Sequence, residues 1–123
     1  MIARIFRKLD AIGVVLVCSA GNHARKQGKG VRAYPARFGD PDPSKNPEGE
    51  IPNLIVVGAT TKQGTDTAWG QTAPYLTTFA PGEDVTVPRN PAESKKNDKY
   101  ITDSGTSMGK LHPTILHRSL YSE

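Results

Sequence analysis

Two short stretches hold residue types that do chemistry. The first, Ser19-Ala20-Gly21-Asn22, closes the apolar run Val14-Val15-Leu16-Val17-Cys18, and the second, Ser104-Gly105-Thr106-Ser107-Met108, comes 85 positions later. A serine hydroxyl becomes a nucleophile when a neighbouring group accepts its proton. A primary amide donates hydrogen bonds to an oxygen that gains negative charge. Glycine and small neighbours leave the approach to both open. Each stretch alone also reads as an ordinary tight turn of small residues, and His23, next to Asn22, reads as a solvated loop side chain.

The elements around them set the stage. Ile2, Ile5, Phe6, Leu9 and Ile12 recur at intervals of three and four, which predicts a helix over residues 2–12 with those side chains on one face. Gly13 supplies the flexible position that ends helices. Residues 14–18 form a continuous apolar run, the pattern of a strand buried on both faces in a parallel sheet. Arg4, Arg7 and Lys8 ahead of that run imitate a secretory signal with a small-residue end at Cys18-Ser19-Ala20. Asp10 at the edge of the run, and its length of only about eight residues, argue against that reading. No convincing signal peptide is present, and the compartment stays open.

Residues 23–50, rich in Gly, Pro and charge, read as a long surface loop with a brief turn near Tyr34. Leu54 to Ala59 is a second apolar strand. Short strands are expected at Thr77–Ala80 and Val85–Val87, separated by Pro81-Gly82, and at Tyr100–Thr102 after a polar loop over Lys95–Lys99. Helices alternating with buried strands predict an α/β fold.

Composition narrows the partners. The net charge of +4 invites nucleic acid, but the basic residues are scattered and no aromatic side chains interleave with them. A solvated basic surface is the expectation, with no nucleic-acid partner. No apolar run approaches the roughly 20 residues of a membrane helix, so no membrane partner is expected. The single cysteine, Cys18, excludes an internal disulfide framework.

Taken together, Ser-Ala-Gly-Asn and Ser-Gly-Thr-Ser-Met resemble the subtilisin-like serine proteases (subtilases, peptidase family S8). Tyr34-Pro35-Ala36, the run IPNLIVVGAT, and FAPGEDV resemble further stretches of that family, in family order. The resemblance covers about residues 5–109. It implies part of a three-layer, parallel-sheet, subtilisin-like α/β fold, truncated at both ends. Residues 1–109 would form a partial catalytic domain and 110–123 a divergent tail. It also implies a serine endopeptidase acting on peptide or protein substrates. Ser107 would be the nucleophile, and the Asn22 amide with the Ser107 backbone N–H would be the two donors to the developing oxyanion. Ser19, Ala20 and Gly21 would line the primary specificity pocket. Many subtilases hold structural calcium, but Asp40-Pro41-Asp42 and Asp66 offer no ordered series of ligands, so no metal or other cofactor is expected.

Departures from the family pattern carry equal weight. The catalytic order Asp, His, Ser requires an aspartate and a histidine ahead of Asn22. The 21 residues that precede it contain one aspartate, Asp10 in a helical pattern, and no histidine. After Met108 the family continues with small residues, Pro-His and an apolar helix. This chain instead has Gly109-Lys110-Leu111-His112-Pro113, with Lys110 where a small residue packs. Pro113 inside a helix costs about 3 kcal/mol, and the tail reads as sequence from a shifted frame or a mis-joined exon. Loss of the base lowers turnover by about 10⁶ and leaves about 10³–10⁴ over water, values established on a subtilisin and taken over as they stand. The isolated chain is therefore expected not to hydrolyse peptides. The intact gene product or another chain would supply the missing N-terminal half. The alternative is a non-catalytic pseudo-protease remnant that binds peptides or a partner protein by strand addition.

Overall fold

The computed structural model describes residues 2–90 and 99–111. Helix α1 spans Ile2–Ala11. It ends where Gly13 takes φ +80° and donates its N–H to the Asp10 carbonyl at 3.0 Å, a left-handed position that a Cβ would strain. The expected apolar face is only partly used. Ala3 is buried and Phe6 packs its ring 5.8 Å from that of Phe38, whereas Ile2, Ile5 and Ile12 are exposed. Fully burying such a side chain is worth about 1.5–3 kcal/mol; Phe6, half-buried against the core, gains part of that and anchors the helix.

Strand β1 is Leu16–Ser19, two residues later than the apolar run begins. Val14 and Val15 stay outside it and are exposed. The three-stranded sheet runs β1-β2-β3, with β2 at Leu54–Thr60 and β3 at Thr78–Pro81, all parallel. Leu16 stands beside Leu54 and Ser19 beside Val57; Val57 in turn stands beside Thr78. The expectation that β1 is buried on both faces is corrected. It lies at the sheet edge and buries only Cys18, while the central strand β2 has that character, with Val56 and Val57 both at 0% exposure. An apolar run marks a buried strand but not which strand of the sheet is central.

The long connection over residues 23–50 is also more structured than its composition suggests. It contains a short helix, α2, at Ala24–Gln27 and a 3₁₀ turn at Ala36–Gly39. Val31, Ala36 and Phe38 join Ile51, Leu54 and Val56 in the main core. Asn46, 1% exposed, donates Nδ2 to the Asp40 carbonyl at 3.0 Å and accepts from Tyr34 Oη at 3.3 Å. A buried amide satisfied in this way substitutes for the ladder bonds a loop lacks.

Strands β4 (Val85–Pro88) and β5 (Tyr100–Asp103) form a separate antiparallel pair. The expected polar loop near Lys95 and Lys96, and the features around His112 and Pro113, lie outside the described residues. The pair returns the chain to the carboxyl ends of β2 and β3. There Gly105 N–H meets the Gly82 carbonyl at 2.8 Å and Asp84 N–H meets Ser104 Oγ at 2.9 Å. A helix, α3, then runs over 106–111. Among the described residues no helix is long and apolar enough to cross a membrane.

Candidate active site

In open α/β sheets the carboxyl ends of parallel strands are where loops converge and ligands bind. Both chemistry-bearing stretches arrive there. Ala20 extends the ladder beyond β1 by donating its N–H to Val57 O at 2.9 Å, and Ala20 is 1% exposed. The chain then leaves the sheet at Gly21, φ +116°, and presents Asn22 at the surface. From the opposite side, Gly105 and Thr106 are buried and Ser107 is exposed in the first turn of α3.

The two arms are tied by Thr106, a residue the sequence did not single out. Its hydroxyl donates to Asn22 Oδ1 at 2.8 Å and accepts from Gly21 N–H at 3.1 Å. Its own N–H also donates to Asn22 Oδ1, at 2.8 Å. Two donors on that oxygen fix which way the amide faces, and the Nδ2 donor is left pointing elsewhere. A carbon placed on Gly105 would lie 3.2 Å from Asn22 Nδ2 and 3.0 Å from Ser107 Oγ. The amide and the hydroxyl therefore border one small space, which exists because residue 105 has no side chain.

Gly109 performs a second service of the same kind. A Cβ there would lie 3.0 Å from Gly58 O and 3.1 Å from Ala80 O. Its absence lets α3 sit directly on the backbone of β2 and β3, which sets the height at which Ser107 stands.

Ser19, half-buried beside Val57, continues with Ala20 and Gly21 as a small-residue wall leading to Asn22. His23 is exposed at the start of α2 and its side chain caps nothing. Among the described residues no histidine or carboxylate hydrogen-bonds to Ser107.

Burial pushes the Cys18 thiol up to about 12, partly countered by the charge of Lys110, so the thiol stays protonated and is a poor nucleophile. Burial, and then the Asp40 charge, raise Tyr75 to about 12. Hydrogen bonds from Ser44 and Lys45 hold the exposed Asp42 carboxyl down at about 2. Asp40, Asp42 and Tyr75 line a cavity of about 530 Å³ to which neither Asn22 nor Ser107 contributes. Among the described residues no three His, Cys, Asp or Glu side chains gather as metal ligands.

A family model described as the subtilase family, peptidase S8, matches residues 1–109. No curated protein matches the chain. Among solved structures, the patellamide maturation protease PatG superposes with a TM-score of 0.72 at 20% identity. The match covers 98% of this chain and 32% of that one, so the chain spans about a third of PatG's length. At that identity the likeness shows a shared fold, an α/β arrangement around a parallel sheet.

Proposed function

The chain belongs to the subtilase family, and from that premise we propose that it carries the nucleophile and oxyanion-binding half of a serine endopeptidase centre. In this reading Ser107 Oγ attacks the carbonyl carbon of a peptide. The tetrahedral oxyanion takes hydrogen bonds from Asn22 Nδ2 and the Ser107 N–H. The C–N bond then breaks, the amine leaves with a proton, and water later hydrolyses the acyl ester on Ser107. Ser19, Ala20 and Gly21 form one wall of the pocket for the residue before the scissile bond. The single observation that supports the reading is the space shared by Asn22 Nδ2 and Ser107 Oγ beside Gly105.

Family order places the proton acceptor for Ser107 ahead of Asn22, and residues 1–21 contain no histidine, so in this reading these residues do not supply it. By themselves the residues then bind a tetrahedral adduct but do not turn peptides over.

A peptide boronic acid tests this, because boron accepts a serine oxygen and mimics the tetrahedral state. The expected result is an adduct on Ser107, seen by mass spectrometry of the intact chain and abolished in Ser107→Ala. Asn22→Ala should weaken it. Deleting such a donor costs about 10²–10³ in turnover, a value established on a subtilisin and taken over as it stands. An adduct elsewhere, or one indifferent to both substitutions, refutes the proposal.

A further inference from the structure

The segment over residues 69–72 crosses the loop that carries Asn22 and binds it at several points. Ala24 N–H donates to Trp69 O at 3.1 Å, Gln71 N–H to Gly21 O at 2.8 Å, and Thr72 N–H to Lys29 O at 2.7 Å. These are backbone bonds that any residue but proline at position 71 would keep. The Gln71 side chain, in a residue 2% exposed, adds something else. Its Nε2 donates to Gly30 O at 2.6 Å, which ties down the far end of the excursion that begins at Asn22. Its Oε1 lies against Gly21 so closely that a Cβ on that glycine would collide with it.

Gly21 is therefore held at two points, its N–H by the Thr106 hydroxyl and its carbonyl by the Gln71 N–H, and the Gln71 side-chain amide fills the space where a Cβ would stand. It precedes Asn22 and sits at φ +116°, a backbone region that side-chain-bearing residues rarely occupy. Small rotations at such a residue swing the next side chain. Asn22 is exposed, so packing does not restrain it, and the polar contacts that fix it run through Thr106 and through the backbone of Gly21.

Resting on the protease reading above, we propose that Gln71 is a positioning residue. Its side chain wedges Gly21 and hooks Gly30, and so holds the Asn22 amide aimed at the oxyanion before substrate arrives. Preorganised donors stabilise a developing charge without a reorganisation cost at the moment of reaction. A loosened loop would still contain Asn22, but its amide would spend part of its time aimed elsewhere.

A double-mutant cycle separates positioning from mere support, because it isolates the part of one residue's effect that passes through another. Peptide boronic acid affinity for the full chain is measured in four proteins: wild type, Gln71→Ala, Asn22→Ala and the double variant. If Gln71 acts through Asn22, Gln71→Ala weakens the adduct about 10-fold when Asn22 is present and less than about 2-fold when it is absent, within the usual range of coupling between neighbours. Far-UV circular dichroism checks that each variant folds. Gln71→Glu is the second variant: it keeps the volume against Gly21, loses the donor to Gly30 O, and is expected to show the same coupling to Asn22. Equal losses with and without Asn22 would mean that Gln71 only supports the fold, and would overturn the inference while leaving the protease reading intact. Failure of the wild type to form any Ser107 adduct would overturn both.

Discussion

Replacing Thr106 by valine removes one hydroxyl and almost no volume, which makes it the cleanest probe of how the two arms of the site are joined. Thr106 is 1% exposed, and its Oγ1 makes two bonds, to Asn22 Oδ1 at 2.8 Å and from Gly21 N–H at 3.1 Å. Each such bond nets about 0.5–1.5 kcal/mol, and a donor left unpaired away from water adds about 1–3 kcal/mol. Asn22 Oδ1 keeps the Thr106 N–H and is not orphaned, whereas Gly21 N–H loses its acceptor. The sum is a loss of about 2–6 kcal/mol, or a fall of about 1–3 M in the urea midpoint for a domain of this size. Thr106→Ser makes the opposite exchange. It keeps the hydroxyl and gives up a methyl worth about 1 kcal/mol. Urea titration followed by circular dichroism should therefore rank wild type above serine and serine well above valine. Packing alone predicts valine close to wild type and serine the weaker. Finding that second order would refute the claim that a hydrogen bond, not shape, ties β1 to α3.

The same geometry sets two further outcomes. Gly109→Ala should cost about 1–3 kcal/mol, because the new methyl meets the carbonyls of Gly58 and Ala80 at 3.0 and 3.1 Å. Ser107→Ala, at an exposed position, should stay within about 0.5 kcal/mol of wild type, and the two melting curves compared side by side check both. The Cys18 thiol, raised by burial from 9.0 to about 12 in the folded chain, stabilises the fold fully below pH 9. That contribution is lost as the pH climbs toward 12, because the unfolded thiol ionises first. Cys18→Ala should therefore show a shallower loss of melting temperature between pH 9 and 12 than wild type, and parallel curves would contradict the assignment.

What the sequence revealed and what it hid divide along physical lines. The stretches around Asn22 and Ser107 stood out because small residues flank an amide in one and a hydroxyl in the other, and the structure brings the two stretches together. The strands at 54–60 and 78–81 were legible because they are apolar and short. β1 was misplaced by two residues because Val14 and Val15 are as apolar as Leu16 and Val17. Hydrophobicity records what a residue tolerates, not whether the sheet has a neighbour on that side. α2, only four residues long, carries no period that a pattern could detect. Phe38 and Ile51 sit singly among glycines, prolines and charges, so nothing local marked them as core. Thr106 and Gln71 were overlooked for a different reason: each is a common polar residue whose importance comes from partners 41 to 85 positions away. A signal was present in one of them. Thr106 stands between the glycine and the serine of a stretch already singled out, where a buried hydroxyl needs a partner.

The arrangement also explains why the exposed and buried residues alternate as they do across the site. Asn22 and Ser107 are both exposed, as the proposed reading requires of residues that meet a substrate, so neither is held by burial of its own side chain. Asn22 is instead held through Gly21 and by the two Thr106 donors on its Oδ1, and Ser107 through its neighbour Thr106, with Gly105 and Gly109 letting the backbones close. The two supports meet at Thr106, which accepts from Gly21 N–H across 85 positions of chain and donates to Asn22 Oδ1 through both its N–H and its hydroxyl. The precision of the site then depends on the sheet only indirectly. The parallel register Ser19↔Val57↔Thr78 sets where the strand ends lie, and the bonds beyond those ends turn that level into the aim of an amide and a hydroxyl. Substitutions within β2 should lower stability while leaving the ratio of adduct affinities between wild type and Asn22→Ala unchanged. Substitutions at Thr106 or Gln71 should change that ratio.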